Sequence, residues 1–145
     1  MEEKNTDNMK LELMSTPDLN EFLRANRENF SDRTVCGLLR QMFARLDISK
    51  AELARRSDVS EVYLHQIFSG RRLPSRSRLL CLAIGMGATV EDTQRLLRRR
   101  GLAELYAKDR RDAIILHGLL HQMTLDEVNN HLITAGEDAL SATYY

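Results

Sequence analysis

Residues 49 to 75 read SKAELARRSDVSEVYLHQIFSGRRLPS, and their punctuation leaves the backbone little choice. Ser49, with Glu52 three residues on, has the form of a capping box, in which the hydroxyl and the carboxylate each satisfy an amide at the helix start. The short helix opened there ends near Ser57 and Asp58. Ser60 suits the N-cap of another, and Gly70 stands where a left-handed glycine closes it. After the basic loop RRLP, Ser75 starts a third. Leu53, Ala54, Val59, Leu64 and Ile67 supply the small and apolar side chains needed where such helices cross.

The flanking segments are helical as well. STPDLNEFLRANRENF offers Thr16 as N-cap and Pro17 at the first helical position. Leu19, Phe22 and Leu23 make one apolar stripe, so this short helix needs a surface to dock on. The dozen residues before it are polar and read as frayed. From Thr34, Val35, Leu38, Leu39, Met42 and Leu46 share one face, with arginines opposite. The helix after Ser75 carries Leu79, Leu80, Leu82, Ala83 and Ile84, and Gly85 and Gly87 close it.

TVEDTQRLLRRRGLAEL from Thr89 and TLDEVNNHLITAGEDAL from Thr124 then align at an offset of 35 residues. Thr89 and Thr124 start helices, Val90/Leu125 and Leu97/Leu132 face inward, and Gly101/Gly136 end them. Leu105/Leu140 follow as the hydrophobic contact after the glycine. The preceding helices, 76–85 and about 112–121, also correspond, so two successive helical hairpins are expected. Strand signals are absent and the expected class is all-α. The expected divisions are a disordered N-terminus at 1–14, an acidic docking helix at 15–32, a domain at 33–94 and a helical extension at 95–145.

Formal net charge is zero, but only by cancellation between segments. Residues 1–32 carry −4, 33–78 carry +6, 79–94 carry −2, 95–111 carry +5 and the remainder −5. A local basic face able to attract phosphate is compatible with that distribution. No run approaches the roughly 18 apolar residues of a membrane span, and the polar start is not a signal peptide. A cytoplasmic protein is expected. Cys36 and Cys81 lie far apart in apolar helical contexts and read as small buried hydrophobes rather than a disulfide.

Two short helices joined by a three- or four-residue turn, the second with a polar outer face, form a helix-turn-helix unit. Its second helix can enter a major groove about 12 Å wide. Residues 34 to about 94 resemble the Cro/phage-repressor type, or XRE, family. The resemblance is carried by Ser49-Lys50-Ala51-Glu52-Leu53-Ala54, Val59-Ser60, Tyr63-Leu64, Ile67, Ser69-Gly70, Pro74-Ser75, Leu79-Leu80 and Leu82-Ala83. It implies a lambda-repressor-like, five-helix domain that binds double-stranded DNA, usually as a homodimer on pseudopalindromic sites. No Gly-rich phosphate loop, nucleophile elbow or paired-carboxylate arrangement is present in the sequence, so neither an enzyme nor a cofactor is expected. By the same resemblance Lys50 would touch phosphate, and Glu61, Val62, His65 and Gln66 would form the reading face of a recognition helix at about 60–69, capped by Ser60. Tyr63, Ser69, Arg71 and Arg72 fall where backbone contacts would be expected. Gln66 suits adenine, Val62 a thymine methyl and Glu61 cytosine N4.

Two residues depart from the family pattern. Asp58 replaces a turn glycine, and Glu61 brings a negative charge to the leading end of the recognition helix. That charge has a second reading, stabilisation of the helix N-terminus. With it stands a rival function: a protein-interaction adaptor or antitoxin-like partner on the same scaffold.

The remaining constellations are plainer. His117 and His121 have a metal-clamping spacing, but position 118 is Gly where a catalytic motif needs Glu, and no metal site is expected. Arg98-Arg99-Arg100 suit a helix C-terminus, with a second phosphate patch or a docking site for an acidic partner as the alternative. Ala113 to Leu116 with Leu119-Leu120 is too apolar for an exposed face, and belongs in the second hairpin's core or in a dimer interface. The C-terminal helices are also where a protein partner would bind.

Overall fold

A computed structural model of the chain describes residues 5–26 and 34–141, and every regular element among them is a helix. The chain divides into two compact units, Met1–Asp32 and Arg33–Tyr145.

The first unit holds α1 (Thr6–Ser15) and α2 (Leu19–Ala25). Within the segment expected to be disordered, 1–14, residues from Thr6 on are helical, and the Asn5 side chain caps them by accepting from the Asn8 amide at 2.8 Å; residues 1–4 lie outside the described residues. It is weakly amphipathic and buries no residue, which explains why its pattern gave no signal. The cap of α2 is Asp18 rather than Thr16, which instead ends α1. Asn26 ties the pair together, donating to Glu12 at 3.0 Å and to the Phe22 carbonyl at 3.1 Å. Phe22 is buried, but Leu19 and Leu23 are not. The end of the expected docking helix, 27–32, lies outside the described residues.

The second unit runs α3 (Val35–Ala44), α4 (Lys50–Ser57), α5 (Glu61–Phe68), α6 (Arg76–Gly85), α7 (Val90–Arg100), α8 (Arg110–Leu120) and α9 (Leu125–Thr134). Thr34, Ser49, Ser60, Ser75, Thr89, Asp109 and Thr124 cap them in turn. One core, rich in leucine, runs from α3 through α9, and it includes Leu39, Leu53, Leu64, Ile67, Leu80, Leu97 and Leu132. Cys36 and Cys81 are both buried and unbridged. The expected boundary at 94/95 falls inside α7, and Arg76 reaches forward from α6 to the Ala103 carbonyl at 3.2 Å and to Asp112 at 3.5 Å. The hairpins are therefore part of the same packed body as the motif.

Two punctuation marks act differently from their expected roles. The reciprocal half of the box at Ser49 does not form. Ser49 accepts from the Glu52 amide at 3.1 Å, but the Glu52 carboxylate turns to Arg55 and Arg56. Gly85 does not end α6 by conformational freedom; Gly87 does, at φ 64°. Gly85 is a crossing point, where an added Cβ would stand 2.1 Å from Ser57 Oγ. α4 and α6 touch backbone to side chain there, which fixes the motif on its support.

The 35-residue offset is a repeat in three dimensions. Gly101 and Gly136 both take φ 78°, and Gly87 and Gln122 both adopt the left-handed backbone. Gln94 accepts from the Leu105 N–H at 2.8 Å and donates to its carbonyl at 2.9 Å; Asn129 holds Leu140 the same way, at 2.7 and 2.9 Å. Arg111 Nε meets the Asp138 carbonyl as Arg76 meets that of Ala103. Of the apolar run in α8, Ile115 and Leu119 enter the core, whereas Leu120 is 69% exposed.

Candidate nucleic-acid interface

The second helix of the motif, α5, is held from three sides. The Ser60 hydroxyl accepts from the Tyr63 amide at 3.0 Å, and Leu64 and Ile67 are fully buried. At its far end the Arg71 and Arg72 amides both donate to the Gln66 carbonyl, at 3.0 and 3.3 Å, so the basic loop folds back on the helix. Arg40 of α3 donates to the Phe68 carbonyl at 2.6 Å. The turn between α4 and α5 depends on Asp58 at φ 54°, ψ 41°, a left-handed conformation that Asp adopts more readily than most residues.

This framing presents Glu61, Val62 and His65 to solvent and leaves Gln66 half-buried beside them. Ser69 is exposed, with its hydroxyl donating to the Gln66 carbonyl at 3.1 Å. Arg71 and Arg72 extend from the loop, and Lys50 begins α4 with its Nζ 6.0 Å from the Phe68 ring centre. None of Lys50, Arg71 and Arg72 forms an ion pair among the described residues. Their charges are available to an external anion.

Tyr63, expected at a backbone contact, has a ring only 7% exposed, with Arg78 of α6 lying 4.2 Å over it and Arg72 5.6 Å away. Tyr63 thus orients two guanidinium groups through cation–π contact. Its hydroxyl is buried with no hydrogen-bond partner. Arg78, Arg72, Gln66 and Arg55 border a cleft of about 610 Å³ beside α5, with Asp58 as its one carboxylate. Arg55 and Arg78 are additions that the motif's spacing did not single out. Arg78 lies fifteen positions beyond Tyr63, on another helix, and only packing brings the two together.

Electrostatics at the base of α4 are partly self-compensated. Arg55, and then Arg56, hold the Glu52 carboxyl below the usual carboxylate range through charged hydrogen bonds. In the basic run of α7, Arg98 pairs with Glu104 and Arg100 donates to the Pro74 carbonyl at 2.9 Å. All three arginines of the run stand in the last turn of α7. His117 stacks 4.3 Å from His121 and 6.4 Å from His131. No group of three or more His, Cys, Asp or Glu among the described residues is placed to hold a metal.

Residues 36–96 match a family model described as a helix-turn-helix domain. The matched segment takes in α3 from its second residue, α4 to α6 and most of α7. No curated protein and no solved structure matches the chain. No helix among the described residues is long and apolar enough to cross a membrane.

Proposed function

We propose that this chain is a sequence-specific DNA-binding transcriptional regulator of the phage-repressor type, acting in the cytoplasm as a homodimer and not as an enzyme. The observation that carries the reading is the α5 surface: a solvent-facing Glu61, Val62, His65 and half-buried Gln66, flanked by unpaired Lys50, Arg71 and Arg72. The cations neutralise phosphates and set register, while the helix face meets base edges. Gln66 suits the paired donor and acceptor of adenine, and Val62 the thymine methyl. Two protomers would place two α5 helices on half-sites about one helical turn apart.

One observation favours the adaptor reading instead. Glu61 is exposed in the first turn of α5 and would face phosphate oxygens wherever it did not meet a cytosine amine. The test is selection of fragmented genomic DNA on purified protein, with titration of any enriched site at two salt concentrations. The expected result is a pseudopalindromic site whose affinity falls steeply with salt, by about 0.9 log units per log unit of salt for each phosphate neutralised. Arg71→Ala with Arg72→Ala should flatten that slope. Absence of enrichment even at low salt would replace the regulator with the adaptor.

A further inference from the structure

Among the described residues of the second unit, the repeat shows a seat that is filled once and left open once. Leu79, Leu82 and Leu96 of the first hairpin are fully buried. α4 lies against α6 and α3 against α7, with Ser57 on Gly85 one turn from Leu82. Shifted by 35 residues, these leucines become Ile114, His117 and His131, which line an open groove of about 470 Å³ between α8 and α9. The groove's lining is largely carbon, with Arg110 at one end and no carboxylate. Along α8 the same stripe runs Arg110, Ala113, Ile114, His117, Leu120, the spacing of one helix face. Leu120 ends it, 69% exposed.

We propose that a second copy of this chain occupies this seat, the two α8 helices packing antiparallel about a two-fold axis. The inference rests on the two-protomer part of the reading above and names its surface. Two features select a second copy as the occupant. Antiparallel pairing sets the small Ala113 of one protomer opposite the partner's Leu120, a large side chain against a small one, at both ends of a self-complementary contact. It also brings Arg110 to the C-terminal end of the partner's α8, where the helix dipole is negative and cations are favoured. Position 113 is the repeat equivalent of Arg78, so an alanine there opens the room that a second helix needs.

Sedimentation velocity on the full chain at tens of micromolar, without DNA, tests this. The expected mass is twice the chain's 16.7 kDa. Leu120→Glu, at an exposed position, and Ala113→Arg should each weaken the dimer at least about tenfold, because each sets a charge into an apolar contact at both ends of the interface. Helical circular dichroism should be unchanged. Leu73→Glu, also at an exposed leucine but away from α8, should leave the dimer intact. A monomeric wild type, or a dimer unmoved by Leu120→Glu, would overturn the proposal. A dimer that Leu120→Glu disperses but that selects no DNA would instead sink the regulator reading alone.

Discussion

The crossing of α4 on α6 invites a double perturbation, because Gly85 and Ser57 constrain each other. Alanine at position 85 places a Cβ 2.1 Å from Ser57 Oγ and 3.2 Å from both Ser57 Cβ and its amide nitrogen. Ser57 is fully buried and its hydroxyl has no partner, so it has little room to retreat. Overpacking of this kind costs about 1–3 kcal/mol. The better helix propensity of alanine returns at most about 1 kcal/mol. Gly85→Ala should therefore lose about 1–2 kcal/mol in urea unfolding followed by circular dichroism. Ser57→Ala removes both the clashing atom and an unsatisfied buried hydroxyl, and by itself should be neutral or slightly stabilising. Adding Ser57→Ala to Gly85→Ala should recover at least about 1 kcal/mol, a coupling that a double-mutant cycle reads directly. The 3.2 Å contacts persist, so recovery should be partial. If Ser57→Ala deepened the loss, or if Gly85→Ala were as stable as the parent, the close approach would not be what seats the motif on α6.

Other perturbations probe single contacts. Asp58→Gly should stabilise the fold by about 0.5–1 kcal/mol in the same unfolding assay, since glycine takes the left-handed turn without Cβ strain; Asp58→Val should lose at least about 1 kcal/mol. Gln94→Ala strips both hydrogen bonds from the part-buried Leu105 backbone, which should cost about 1–3 kcal/mol by chemical denaturation. Burial, reinforced by Asp58, pushes the Cys81 thiol up to about 12. Its folded value lies above its unfolded one, so stability from this group is complete at neutral pH. It is lost as pH climbs from the ordinary thiol range toward that value, because only the unfolded thiol ionises. Alkylation of Cys81 near neutral pH should accordingly require unfolding, and rapid labelling of the native protein would contradict the burial.

Helix ends were the most legible part of this protein. Ser60, Ser75, Thr89 and Thr124 cap where the sequence suggests, and Gly70, Gly87, Gly101 and Gly136 all take positive φ. A cap is a contact within four residues, so its partners are adjacent in the chain and can be read off it. The leucine stripes were legible for a related reason, since helical period assigns a face before anything is known of what covers it. The same locality explains why the α5 surface could be named in advance. The α1 helix escaped because it is capped by an asparagine and has no apolar face to show in the pattern.

What the chain could not announce is every decision taken between distant residues. Glu52 had two bond sets within reach, and charge favoured the arginines over the backbone amide. Tyr63 meets Arg78 and Arg72 only because packing brings another helix and the loop to its ring, and Gln94 matters because Leu105 returns to it eleven positions later. Gly85 is spelled like a helix stop and serves as a crossing point. In the same way the repeat predicted two like hairpins, but only packing showed that one has its face covered by α3 and α4 while the other is left open among the described residues of that unit. Local bonding settles where helices begin and end; which side chains meet is settled by how seven of them share one core.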